Sequence, residues 1–123
     1  VEARLGSKLT KQEWTFYLAR SGGKIDGYAL IDSEIGKTEP ITFLTAILPD
    51  GTVKEVEILA YREPIGSEVH EKVFLRQFEK KRGADPVRVG QDIRNLTGAT
   101  LSSRAVSNGV KRALVLWQTF YGK

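Results

Sequence analysis

Ile41-Thr42-Phe43-Leu44-Thr45-Ala46-Ile47-Leu48-Pro49-Asp50-Gly51, continuing through Thr52-Val53-Lys54-Glu55-Val56-Glu57-Ile58-Leu59-Ala60, decides the fold class. Its first eight residues are apolar and β-branched, too short a run for a typical helix and the right length for a strand. Pro49-Asp50-Gly51 is a turn with a mechanism: Pro presets its own φ and Gly supplies a positive φ. Beyond it, Val53, Val56 and Ile58 stand against Lys54, Glu55 and Glu57, the pattern of a strand with one buried face. The stretch predicts an antiparallel hairpin over residues 41–60.

Upstream, Glu13 to Arg20 reads as a strand, with Trp14, Phe16 and Leu18 alternating with Glu13, Thr15 and Tyr17. Ser21-Gly22-Gly23-Lys24 is a tight hairpin turn, and the returning strand runs from Ile25 to Asp32. Glu34 to Pro40 reads as a loop. Downstream, Tyr61 to Ser67 is a loop, and Glu68 to Arg82 is a predicted helix with Val69, Val73, Phe74 and Phe78 at helical spacing. Gly83 is its expected stop, with Pro86 just beyond. Pro86 to Leu96 is irregular or a short strand. The last helix, Leu101 to Phe120, carries Ala105, Val106, Val110, Ala113, Leu114, Trp117 and Phe120 on one face. Its Gly109 lowers helix propensity and permits close packing. The layout is α+β: an antiparallel sheet of about four or more strands packed with two main helices. A single domain is expected over residues 1–123, with a core at 41–121 and an N-terminal hairpin extension at 12–33.

Composition narrows the function. The chain has 123 residues, of which 41% are hydrophobic and 28% charged, enough for one compact domain with a modest core. No apolar run approaches the roughly 20 residues a bilayer-spanning helix needs. The net charge of +4 comes from scattered Lys and Arg apart from Lys80-Lys81-Arg82, with no basic-aromatic interleaving, so nucleic acid is not an expected partner. The absence of Cys removes disulfides, thiolate-held Fe–S clusters and thiol catalysis. With His70 as the single histidine, a His-rich metal site is excluded and any Ser-His-Asp triad would rest on it. No metal site and no catalytic acid–base pair are expected. The chain opens on Val1 rather than Met, which reads as a processed or truncated piece from which a signal peptide or anchor could have been removed.

Leu96-Thr97-Gly98-Ala99-Thr100-Leu101-Ser102-Ser103 sets hydroxyls around a Gly-Ala pair just where the last helix begins. Thr100 is the expected N-cap, its Oγ aimed at the N–H of Ser102 or Ser103. Gly98 lets the backbone approach a ligand closely. Free N–H groups, hydroxyls and Arg104 would all meet an anion placed at the helix start. Residue types alone leave two readings open: an ordinary capped helix after a turn, or a phosphate site.

This stretch resembles the flavinylation motif of FMN-binding domains, those of the NqrC and RnfG subunits of ion-pumping redox complexes and their relatives. Thr97-Gly98-Ala99-Thr100 and Ser102 match the motif, and Ser103-Arg104-Ala105-Val106 resembles its continuation into a helix. The acidic position that opens the family motif falls on Arg94, with Asp92 the nearest acid. Asp50-Gly51 matches the family's hairpin turn. Arg62-Glu63-Pro64-Ile65-Gly66-Ser67 resembles the loop that lies against the isoalloxazine ring, without the Thr usual between Glu and Pro. The resemblance covers Ile41 to Leu116. It implies FMN as cofactor, joined to Thr100 through a phosphoester bond, with Thr97, Gly98, Ala99, Leu101, Ser102, Ser103, Glu63, Pro64, Ile65 and Gly66 around it. It also implies a flavin transferase of the ApbE type, a redox partner protein or further domains of a membrane-associated complex, and an extracytoplasmic (periplasmic or cell-surface) setting. The expected function is electron transfer by a carrier domain rather than a stand-alone enzyme. The rivals are a non-redox anion- or partner-binding or sensory module using the same helix end, and a flavin reductase.

The remaining candidates have ordinary readings beside functional ones. Trp14 and Trp117 are core residues or ring-stacking partners, and Tyr61 and Glu63 are loop residues or flavin contacts. His70 is a surface residue or a redox-linked proton site. Lys80-Lys81-Arg82 ends a helix, where cations suit the dipole, or docks an acidic partner. Asp92 is a turn acid or a ligand of motif backbone.

Overall fold

The computed structural model describes residues 15–60 and 68–122. Four strands, β1 (Phe16–Ser21), β2 (Lys24–Ile35), β3 (Pro40–Ile47) and β4 (Val53–Ala60), form an antiparallel meander in sequence order. Two helices follow, α1 (Glu68–Arg76) and α2 (Thr100–Phe120). The expected α+β architecture is the observed one. Among the described residues no helix is long and apolar enough to cross a membrane.

Turn chemistry fixes the registers. Gly22 and Gly23 both have positive φ, 56° and 84°, so a two-residue turn joins the paired Ser21 and Lys24. In the β3–β4 turn, the Asp50 carboxylate accepts from the Thr52 N–H at 3.0 Å and from the Thr52 hydroxyl at 2.6 Å. Gly51, at φ 89°, is pressed against Trp117: a Cβ there would stand 2.8 Å from the ring.

Alternation along β3 buries Ile41, Phe43, Thr45 and Ile47 against α2. They meet Leu30, Val53 and Val56 from the sheet and Ala105, Val106, Val110, Ala113, Leu114 and Trp117 from α2, while Phe74 and Phe78 close the α1 side. Each fully buried side chain of this size stabilises the fold by roughly 1.5–3 kcal/mol. Gly109 does permit the close approach: Phe43 fills its missing side chain, and a Cβ would lie 2.0 Å from Phe43 Cζ.

Three boundaries differ from the sequence reading. The strand β2 runs to Ile35 rather than Asp32, because Glu34 and Ile35 pair with Ile41 and Pro40. Its inward Asp32 and Glu34 carboxylates share the Arg112 guanidinium of α2, with Asp32 Oδ2 at 2.8 Å from Arg112 Nη2. The helix α1 ends at Arg76 rather than Arg82, and Gly83 is not its stop. Successive tight turns carry the chain through Gln77 to Lys80, where φ is 71°. There the Lys80 N–H donates to Val53 O at 2.8 Å and the Val53 N–H to Lys81 O at 2.9 Å, so pairing with β4 replaces another helical turn. Val73, expected inside, is 56% exposed. Last, α2 begins at Thr100, its N-cap is Ala99, and no side chain caps it. Thr100 is therefore the first helical residue and not the cap. The reason lies in Ser103, whose fully buried hydroxyl donates to Ala99 O at 2.7 Å and accepts from the Leu96 N–H at 3.1 Å. That pair of bonds organises the turn a capping Thr100 would otherwise have shaped.

Candidate functional site

The segment from Ile93 to Ser103 is built as a pinned loop. Ile93 is buried and anchors one end. Next to it the Gln77 side chain grips the Arg94 backbone: the Arg94 N–H donates to Oε1 at 2.7 Å, and Nε2 donates to Arg94 O at 3.0 Å. Ser103 pins Leu96 and Ala99 as described above. Between these anchors Gly98 takes φ 80°, a conformation that glycine adopts without penalty. A Cβ built on Gly98 meets nothing within 4 Å, so the loop turns its backbone toward open space there.

Thr97, Gly98, Thr100 and Leu101 are exposed, Ala99 and Ser102 half-buried. Among the described residues the Thr97, Thr100 and Ser102 hydroxyls have no hydrogen-bond partner, whereas the Ser103 hydroxyl is consumed inside the fold. The structure thus separates the motif's hydroxyls into available and structural ones. Ser102 Oγ also sits against the β2–β3 turn, 3.0 Å from where a Gly36 Cβ would be.

Beside the loop lies a cavity of about 410 Å³, walled by Val73, Phe74 and Gln77 on the α1 side and by Arg94, Asn95, Leu96 and Thr97 on the other. Small-molecule sites typically occupy about 300–1,000 Å³ and mix apolar walls with a few polar groups, as here. Val73 is exposed because it faces this cavity, which resolves its misplacement by helical periodicity. Thr97 joins the cavity to the helix start, where the first-turn N–H groups lack a capping side chain and no acidic residue opposes an anion. Arg94 and Arg104 are exposed on the same stretch, and no Asp or Glu follows Asp92 in the chain. An uncapped helix end, free hydroxyls, a glycine facing open space and an adjoining ring-sized cavity together fit a phosphate-bearing aromatic cofactor.

Other candidates fall elsewhere. Asp92 does not reach the motif: it accepts from the Val87 N–H at 3.1 Å and the Arg88 N–H at 2.9 Å and pairs with Lys81 at 3.3 Å. Burial works to raise its carboxyl, but the Arg88 and Val87 N–H groups and Lys81 outweigh it and hold the carboxyl below the usual range. Lys81 is thereby an internal ion-pair partner rather than part of a free basic patch. Trp117 is core, packed edge-on against Tyr28 at 5.6 Å, about fifteen residues along α2 from Ser102. Glu63, Pro64, Ile65, Gly66, Tyr61 and Trp14 lie outside the described residues, as does the His70 side chain. Two groups escaped the sequence reading. Gln77 lay in what read as mid-helix, and Arg112 lay on the apolar face of α2, where a lone cation signalled a buried acidic partner.

Residues 36–115 match the family described as FMN-binding domain, well over half of the chain. The chain belongs to the FMN-binding domain family. The match begins at Gly36 and covers β3, β4, α1, the whole Thr97–Ser103 motif and α2 as far as Val115. This FMN-binding domain is 34% identical over 120 residues to a subunit of the proton-translocating ferredoxin:NAD(+) oxidoreductase complex of Clostridium ljungdahlii, covering 91% of this chain and 63% of that relative. It is 23% identical over 128 residues to a subunit of the Na(+)-translocating ferredoxin:NAD(+) oxidoreductase complex of Acetobacterium woodii, covering 96% of this chain and 62% of that relative. The chain spans less than two thirds of the length of either one.

Proposed function

We propose that this FMN-binding domain is an electron carrier whose FMN is joined through a phosphoester bond to Thr100 Oγ, on the extracytoplasmic side of a larger membrane-associated redox complex. The observation that carries this reading is the Thr100 hydroxyl: exposed, unengaged by any described residue, and set in the first turn of an uncapped helix. Electron transfer follows from the cofactor that names the family and from the redox complexes to which its relatives belong.

FMN, when bound, supplies the chemistry by accepting and passing on one or two electrons. The chain's own groups bind and orient. The N–H groups of the first turn of α2 and the Thr97 and Ser102 hydroxyls would hold phosphate oxygens, with the Arg94 and Arg104 guanidinium groups adding charge. Gly98 brings backbone close to the ligand, and the apolar cavity walls at Val73, Phe74 and Leu96 would exclude water from a ring. Glu63, Pro64, Ile65 and Gly66 are proposed as further contacts of the ring. A covalent tether retains the cofactor where free flavin is scarce, and attachment is assigned to an ApbE-type flavin transferase.

Co-production of the full-length protein with such a transferase tests the proposal. The mass should rise by one FMN less one water, and the yellow colour should survive denaturation. Thr100→Ala should abolish the addition, and Thr97→Val and Gly98→Val should lower it severalfold more than Lys54→Ala on the exposed face of β4. An unmodified wild-type protein, or an adduct retained in Thr100→Ala, overturns the assignment.

A further inference from the structure

We infer that Gln77 is a positioning residue of the flavin site: its side-chain amide sets the separation between the two walls of the cavity and the presentation of the motif loop. The inference rests on the function proposed above.

The geometry is that of a backbone mimic. A primary amide carries one acceptor and two donors, and here all three functions are in use. Oε1 accepts from the Arg94 N–H at 2.7 Å, and Nε2 donates to Arg94 O at 3.0 Å and to Phe74 O at 3.2 Å. The bond to Phe74 O folds the side chain back onto the end of α1, so the amide is held before it meets Arg94. The orientation of the amide is dictated, because Arg94 offers one backbone donor and one backbone acceptor and only one placement of O and N satisfies both. Gln77 thus reads Arg94 as a neighbouring strand would.

The consequence lies in where the two partners stand. Gln77 belongs to the α1 wall of the 410 Å³ cavity, Arg94 to the facing wall. Among the described residues no other side chain hydrogen-bonds across between these walls. Downstream, Ser103 pins Leu96 and Ala99, so the loop from Arg94 to Ala99 is fixed at both ends and only its middle is free to meet a ligand. Loss of the Gln77 anchor leaves the Ser103 anchor and the helix intact but lets the wall at Arg94 swing. A displacement of about 1 Å at a reacting group can slow a reaction by two orders of magnitude. The chemistry on Thr100 should register such a shift while the fold does not.

The test uses the full-length protein with Gln77→Ala and Gln77→Glu. Gln77→Glu keeps the acceptor for the Arg94 N–H and loses the donor to Arg94 O. Hydrogen–deuterium exchange of the peptide containing Arg94, read by mass spectrometry without flavin, should quicken roughly tenfold in Gln77→Ala, as expected for a backbone N–H that loses its partner. Flavin attachment by the transferase should slow roughly tenfold or more, and the visible circular dichroism of the attached flavin should change. Gln77→Glu should fall between Gln77→Ala and wild type in each readout. Wild-type attachment, exchange and flavin dichroism in Gln77→Ala, whatever its melting temperature, would overturn the inference while leaving Thr100 as acceptor. A wild-type protein that takes no flavin, with faster Arg94 exchange still seen in Gln77→Ala, would instead overturn the function and reduce Gln77 to a structural brace.

Discussion

Gly109→Ala sets two physical effects against each other, and the structure decides the sign. Helix propensity alone favours the change by about 1 kcal/mol, since glycine in a helix interior is the weaker former. Packing opposes it. The new methyl would start 2.0 Å from Phe43 Cζ and 2.7 Å from Phe43 Cε2, whereas carbon atoms settle at about 3.5–4.0 Å. Phe43 has no exposed surface, so β3 and α2 must part by about 1.5 Å or Phe43 must leave its rotamer. Overpacking of this kind costs about 1–3 kcal/mol, and so short a contact belongs at the upper end. The expected net loss is about 2 kcal/mol, or roughly 6–10 °C in Tm for a domain of this length. Urea titration should move the midpoint down without changing the slope. Adding Phe43→Leu, which shortens the obstructing side chain, should make the double variant more stable than the sum of the single losses, with a coupling of at least about 0.5 kcal/mol. A Gly109→Ala protein as stable as wild type, or more so, would refute the argument that the helix–sheet contact is rigid and full at this point.

Two further outcomes follow from charged groups. Arg112→Met should destabilise the fold by roughly 3–5 kcal/mol in urea titration, because it strands the 4%-exposed Asp32 carboxylate without its guanidinium. Burial disfavours the charge on Arg112, but Asp32 and Glu34 more than offset this and raise its pKa, so the loss should be flat across pH 6–9. Asp92 behaves oppositely. Its folded-state pKa lies below the unfolded value of about 3.9, so its contribution to stability is complete above that value and disappears as pH falls through the lower, folded one. Asp92→Asn should lower stability at pH 7 and flatten the acid limb of a Tm-against-pH curve below about pH 4; an unchanged acid limb would contradict the role assigned to Asp92.

Local signals carried the elements whose cause is local. The hairpin at 41–60 was legible because alternation, Pro49 and Gly51 act over neighbouring residues, and Gly22-Gly23 specified its turn for the same reason. What escaped was long-range. Nothing near Arg76 says that α1 stops there, because the competing partner is Val53, more than twenty residues earlier. The ion pair that holds the inward carboxylate at the far end of β2 reaches from Glu34 to Arg112, seventy-eight residues on. Val87 takes φ 49°, an unfavourable conformation for a β-branched residue, and holds it while Asp92 accepts from its N–H. No residue pattern around Pro86 announces this turn.

The motif shows why a string of similar residues does not contribute a string of similar roles. Thr97, Thr100, Ser102 and Ser103 carry the same functional group within seven positions, and a resemblance to a motif cannot rank them. Burial and bonding can. Ser103 is fully buried and spends its hydroxyl on Leu96 and Ala99, so its role is to shape the turn. Because Ser103 takes over that task, Thr100 is released from capping and enters the helix with its hydroxyl unengaged. A capping Thr100 would have its oxygen committed to a backbone N–H two or three residues on, so neither that hydroxyl nor that N–H would be open. The displacement of the cap from Thr100 to Ala99, which the sequence pattern did not anticipate, is therefore what leaves the helix end and its first hydroxyl open together.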